Sequence, residues 1–439
     1  MAGCPRKESA HHRNTARYYF KKCMFMTTHF FLLGSPLTQE RLSWIEESLK
    51  FFFVKMYPEM LRHHGKPHDN VFTFLINGDA LYSLHEPETQ KIWEIILLLP
   101  SVRIICDRQE LDLRGISVEQ LKMKYPDQVI DHNSMSLNGQ TSFWRDVVKI
   151  ARQHEQPVPS TIGYFHLESP YMHRSSLSAV QCLAAALEVQ AGIELYAYMD
   201  GIHIGHLGQS PTEYDNIGKG LEDLAELAAK RNLHCHMFAC TRCAAARGYS
   251  TWDDGQGIVI STCTIKPFKI RNLNEMIARF GRNHLILGEN VASIQLKRKA
   301  QPITLAEPDK GHMPPVTIFI TRFPYGTEYA FGALSFAIAC AHNGILTRVI
   351  FIEEGVYSVA GTHQLSRDAQ CFNLQEVIDV IAGSENLHLY VFQPSLQRRG
   401  ISKNKKMTAV LDIGVAELGQ LFFNPPQGIQ ANHQRILFF

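Results

Sequence analysis

Three stretches of this chain repeat one order of parts, and few folds satisfy that order. Each opens with a short apolar run that ends in a Pro-bearing loop, at residues 30–36, 164–171 and 317–325. A helical stretch follows, longest in the first (39 to about 64) and Ala-rich in the others (176–190 and 330–342). Gly192 and Gly344 are the expected stops of the last two. A second strand then runs into a Gly corner at Gly78, Gly201 and Gly355. From Pro to corner Gly is 31 positions in the second and third stretches and 42 in the first, which therefore carries an insertion. Next come a second helix (about 87–99, 220–231 and 373–382) and a third strand (102–106, 233–240 and 387–392). Each third strand precedes an Arg-Gly pair: Arg114-Gly115, Arg247-Gly248 and Arg399-Gly400. Closing helices are expected at 272–280 and 410–421, and last strands at 285–287 and 435–439.

Strand–helix alternation with short connections predicts α/β architecture, with mainly parallel sheets covered on both faces. The predicted layout is a flexible basic arm (1–24), a divergent first unit (25–156), a second unit carrying Cys240 (157–298), a linker rich in Lys, Pro and Asp (299–315) and a third unit (316–439). Reaction sites in such sheets lie off the carboxyl ends of the strands. The Pro-bearing loop, the Gly corner and the end of the third strand should therefore converge on one edge of each unit.

Composition narrows the functions. A net charge of +2 makes no global case for nucleic acid. Apolar runs such as 95–99 are far shorter than the roughly 20 residues a bilayer needs, so no membrane partner is expected. The basic N-terminus is followed by no long apolar segment, which argues against a secretory signal. Ten cysteines in 439 residues are not a disulfide framework, and reduced core thiols in a cytoplasmic setting are expected. There is no Gly-rich phosphate loop, no Ser–His–Asp pattern and no paired-carboxylate motif, so no cofactor is expected.

The candidate active centre is Cys240. Residues 233–240 alternate as a strand, and Thr241 to Arg247 form a short helix stopped by Gly248. A thiol at that corner meets free backbone N–H groups and the positive end of the helix, and Arg242 adds charge of the same sign. All three favour the thiolate. Cys243, one turn on, is either a resolving thiol or a small core residue. Cys106 is the candidate of the first unit, with Asp107 opposing its thiolate and Arg108 favouring it. Tyr171, Asp200, Gly201 and His203 sit at loop corners, where they line a pocket or serve turn chemistry. Cys240 and Cys243 with two of His203, His206, His234 and His236 would make a zinc site, although Cys235 points to the opposite sheet face. Cys182 and Cys340 read as core, and Cys263 and Cys371 as loop residues without a partner.

The run Phe351-Ile352-Glu353-Glu354-Gly355-Val356-Tyr357 and the later Arg398-Arg399-Gly400 closely resemble the DsrE/DsrF-like (TusD/TusC-like) sulfur-relay proteins. In that family the reactive cysteine ends the third strand, shortly before an Arg-Gly pair. Cys240 lies eight positions before Gly248, Cys106 nine before Gly115, and the third unit has Phe392 at that place. The resemblance implies three tandem flavodoxin-like units and a cysteine that carries persulfide sulfur in tRNA thiolation or dissimilatory sulfur metabolism. It also implies sulfur-donor and sulfur-acceptor partner proteins, and self-association with Gly355 and Tyr357 near subunit contacts. The expected function is a sulfurtransferase-like carrier acting through Cys240. The alternatives are a non-catalytic scaffold of degenerate units and a zinc-binding second unit.

Overall fold

The computed structural model describes residues 27–56, 71–99, 101–132, 142–154, 160–249, 263–283, 285–295, 313–365, 371–424 and 433–439. The expected arm, most of the expected linker and much of the first-unit insertion lie outside them. The chain lays down β1 (Thr27–Leu33), β2 (Val71–Ile76), β3 (Val102–Asp107) and β4 (Val129–His132). Then come β5 (Thr161–His166), β6 (Gly192–Ala197), β7 (Cys235–Cys240), β8 (Phe268–Arg271) and β9 (Leu285–Leu287). After β10 (Val291–Gln295) follow β11 (Val316–Ile320), β12 (Thr347–Phe351), β13 (Leu387–Phe392), β14 (Val410–Ile413) and β15 (His433–Phe438).

Two sheets result. One has five strands in the order β8-β7-β6-β5-β9, parallel throughout. The other has ten, ordered β14-β13-β12-β11-β15-β10-β1-β2-β3-β4. Its strands are parallel within each half, and β10 runs antiparallel to both β1 and β15. The chain therefore turns back after β9 and uses β10 to join the sheets of the first and third stretches into one. The sequence pattern misses β10, whose alternation is short and includes buried Ser293.

Burial follows the pleat. In β1, Phe30 and Leu32 enter the core shared with the five-stranded sheet, while Phe31 and Leu33 enter the core on the opposite face. Helices Ser142–His154, Ser175–Glu188, Leu273–Arg282 and Tyr329–His342 pack into the shared core. Helices Gln39–Phe51 and Val415–Phe423 cover the other face. Two expected boundaries move. The second-stretch helix ends at Glu188, and Gln190 makes the left-handed turn at φ 58°, so Gly192 opens β6 instead. The expected helix 410–421 splits at Gly414: Val410–Ile413 pairs with β13 as an edge strand before the helix begins.

The second strand of each stretch ends in the same strained step. Gly78, Met199 and Glu353 have φ values of 53°, 54° and 52°, and each opens a short 3-10 turn. Gly78 is thus the counterpart of Met199 and Glu353, and Ala80 that of Gly201 and Gly355. Gly201 and Gly355 are required by close approach: a Cβ there would run into the carbonyl oxygens of His166 and Ile320.

The acid beside each corner binds the arginine of the Arg-Gly pair. Arg114 meets Asp79 at 2.9 Å, Arg247 meets Asp200 at 2.6 Å and Arg399 meets Glu354 at 2.7 Å. These arginines also reach between stretches. Arg247 contacts Glu328 at 2.8 Å, and Arg399 contacts Glu40 at 2.9 Å. Arg114 contacts Glu110, which Arg174 holds from the second stretch at 2.7 Å. The contacts close a ring: second to third, third to first, first to second.

Candidate functional site

Cys240 is the last residue of β7, and the helix after it spans only Thr241–Ala246. So short a helix adds little dipole, and the local hydrogen bonds do the work. The Cys243 thiol donates to the Cys240 sulfur, and the backbone N–H groups of Cys243 and Arg242 favour its thiolate without closing a cap hydrogen bond. Together with the Arg242 charge these outweigh burial and bring the Cys240 thiol below its ordinary value. Cys243 is held as the neutral donor: its bond to Cys240 and its burial both push its own thiol up. Its sulfur in turn accepts the Met199 amide at 3.3 Å. The strained corner of β6 thereby orients the residue that activates Cys240.

Cys240 is 1% exposed and Cys243 8%. Cys243 lines a cavity of about 460 Å³ between the second and third stretches, and Cys240 sits behind it, outside the lining. Tyr198, Met199, Arg242 and Cys243 form one wall, and Tyr325, Phe331 and Phe372 contribute to the other. The walls are tied together by Tyr198 Oη donating to the Gly332 carbonyl at 3.0 Å and by the Arg247–Glu328 pair. Arg242 lies over the Phe331 ring at 4.4 Å and donates to Ser335 Oγ at 3.3 Å.

Other expected site residues fall elsewhere. Cys106 is fully buried among Leu and Ile side chains, and burial pushes its thiol well up. It is one residue short of the corner: Asp107 precedes the short helix as Cys240 and Phe392 do in the other two stretches. Cys106 therefore belongs to no active corner. Asp200 serves Arg247, and Gly201 serves the backbone approach described above. His203 bonds Tyr249 Oη at 2.6 Å, and burial lowers its pKa. Tyr171 donates to Gln209 Oε1 at 2.7 Å and does not line the cavity; its third-stretch counterpart, Tyr325, does. Gly355 and Tyr357 sit at the third-stretch corner, where Tyr357 stacks on Phe323 at 5.3 Å. The zinc set does not assemble. His234 bonds Glu194 at 2.8 Å, and among the described residues no three His, Cys, Asp or Glu side chains are placed to hold a metal ion.

The residues missed from the sequence are those of the far wall: Glu328, Phe331, Ser335, Cys371 and Phe372. Their only sequence signal was the repeat itself, which does not say that one stretch's loop faces the next stretch's cysteine. All eight described cysteines are free, and no helix among the described residues is long and apolar enough to cross a membrane.

Three comparisons with known proteins were informative, and one of them falls on the third stretch. A family model described as the DsrE/DsrF-like family matches residues 315–422, the segment that carries Phe392 at its corner and lies outside Cys240. The uncharacterized protein MK0008 of Methanopyrus kandleri is 30% identical over 95 residues, which cover 22% of this chain and 74% of that protein. The ychN protein from E. coli, a solved structure, is 20% identical and aligns over 29% of this chain and all of its own, with a TM-score of 0.23.

Proposed function

Because the chain belongs to the DsrE/DsrF-like family, we propose that it is a three-unit sulfur carrier whose persulfide centre is Cys240. The observation that carries this reading is the hydrogen-bonded corner. Among the described cysteines whose thiols are shifted, Cys240 alone is shifted down, and its partner Cys243 lines a cavity large enough for a small reaction partner. The thiolate attacks the outer sulfur of an incoming persulfide, keeps that sulfur as Cys240–S–SH, and later yields it to an acceptor thiolate. Each step exchanges one S–S bond for another, so no oxidant is consumed. Cys243 acts as the hydrogen-bond donor that stabilises the thiolate between steps.

In this reading the units span 25–156, 157–298 and 316–439, and the first and third build walls and surfaces. Asp107 and Phe392 at their corners favour a scaffolding role for those two. Free cysteines throughout the described residues fit a reducing, cytoplasmic setting. The test is to load the full chain with inorganic polysulfide, trap sulfane sulfur by alkylation and map the peptides. Added sulfur on the Cys240 peptide supports the proposal. Sulfur confined to the exposed Cys263 and Cys371 contradicts it.

A further inference from the structure

We propose that the cavity lined by Cys243, behind which Cys240 sits, receives a small carboxylate-bearing thiol carrier, which delivers sulfur to Cys240 as its alkyl persulfide. The inference rests on the persulfide reading of Cys240 and adds the class of donor. A volume of about 460 Å³ lies in the ordinary range of small-molecule sites, roughly 300–1,000 Å³. A donor cysteine on a folded protein would have to bring its backbone between walls that the Tyr198–Gly332 bond and the Arg247–Glu328 pair tie together.

The charges lining the cavity set the ligand's sign. Arg247 is shared by Asp200 and Glu328, a cluster that carries one net negative charge, so Arg247 offers no free cation to a ligand. Arg242 has no carboxylate partner among the described residues, and its guanidinium is held by stacking on Phe331 and one bond to Ser335. That leaves donors in the planar array that suits a carboxylate. Phe331 and Phe372, stacked at 5.2 Å, supply an apolar surface for the rest of a small ligand. Cys243, on the same wall as Arg242, leads to Cys240 one hydrogen bond behind it.

The step balances without a further reactant. The Cys240 thiolate attacks the outer sulfur of R–S–S–H. A Cys240–S bond forms to that sulfur, which keeps its hydrogen. The R–S bond to it breaks, and the electron pair leaves with the carrier as R–S⁻.

The experiment compares loading of the full chain by three probes: the persulfide of mercaptoacetate, the persulfide of its methyl ester, and inorganic polysulfide. Added sulfur on Cys240 is followed by mass. The expected result is half-saturation by the carboxylate probe at a concentration about threefold or more below that of the ester, in keeping with one solvent-accessible charge pair. Arg242→Gln should abolish that preference, and Arg242→Lys should keep part of it. Taking the ratio of the two probes cancels any effect of Arg242 on the thiolate itself. Equal loading by acid and ester, or a preference that survives Arg242→Gln, overturns the inference while polysulfide loading leaves the persulfide reading standing. Failure of all three probes to load Cys240 overturns both.

Discussion

The thiol of Cys243 donates to the sulfur of Cys240, and the amide of Met199 donates to Cys243 at 3.3 Å. The helix carries the two cysteines three positions apart, and the corner of β6 fixes the donor of the pair. The low pKa of Cys240 is therefore owed chiefly to Cys243. Replacing Cys243 by Ala should move the midpoint of Cys240 alkylation up from its lowered position toward the ordinary thiol value. Alkylation at pH 7 should slow about tenfold. Cys243→Ser retains a donor and should fall between. A midpoint unchanged in Cys243→Ala would assign the shift to the backbone N–H groups and Arg242 instead.

The junction of the first and third stretches rests on a buried ion pair. Arg41 meets both oxygens of Glu353 at 2.9 Å, and Trp44 donates to the same carboxylate at 3.2 Å. Glu353 is 2% exposed, so removing Arg41 strands a buried charge. Arg41→Met should lower the stability to urea by about 3 kcal/mol or more. Adding Glu353→Gln should restore part of that loss. A second change that deepens it would show that Glu353 finds another cation.

At the junction of the first and second stretches, burial pushes Asp107 up to about 6 and Glu289 up to about 7, and Glu110 repels both. Both folded values lie above those of an unfolded chain, near 3.9 and 4.3. Ionisation therefore costs the folded state. The contribution is most favourable below about pH 4, is lost as pH rises through about 6 and 7, and is flat above. Glu289→Gln should raise the urea midpoint more at pH 8 than at pH 5. An equal effect at both values would mean that Glu289 is ionised throughout.

Much of the strand and helix order was legible because it rests on local patterns. Residues 387–392 and 285–287 read as strands and are β13 and β9. Cys240 was placed at a strand-to-helix corner for the same reason. Register in the first stretch was not legible, because the corner there runs Gly78, Asp79, Ala80 where the others have Gly at the third place. Without the φ values, Gly78 aligns with the wrong residue, and Cys106 is taken for the counterpart of Cys240 in place of Asp107. The contribution of β10 to both halves of the large sheet could not be read either, since its partners lie far away in sequence. The same holds for the far wall of the cavity: nothing local in Phe331 or Cys371 says which cysteine it faces.

The central claim is that Cys240 carries sulfane sulfur. Intact mass after exposure to a persulfide donor tests it most directly, on the wild type and on Cys240→Ser, Cys243→Ser and Cys106→Ala. A gain of one sulfur is expected in the wild type and in Cys106→Ala, a reduced gain in Cys243→Ser and none in Cys240→Ser. An undiminished gain in Cys240→Ser, or none in the wild type with Cys240 inert to alkylation in the folded chain, would contradict it.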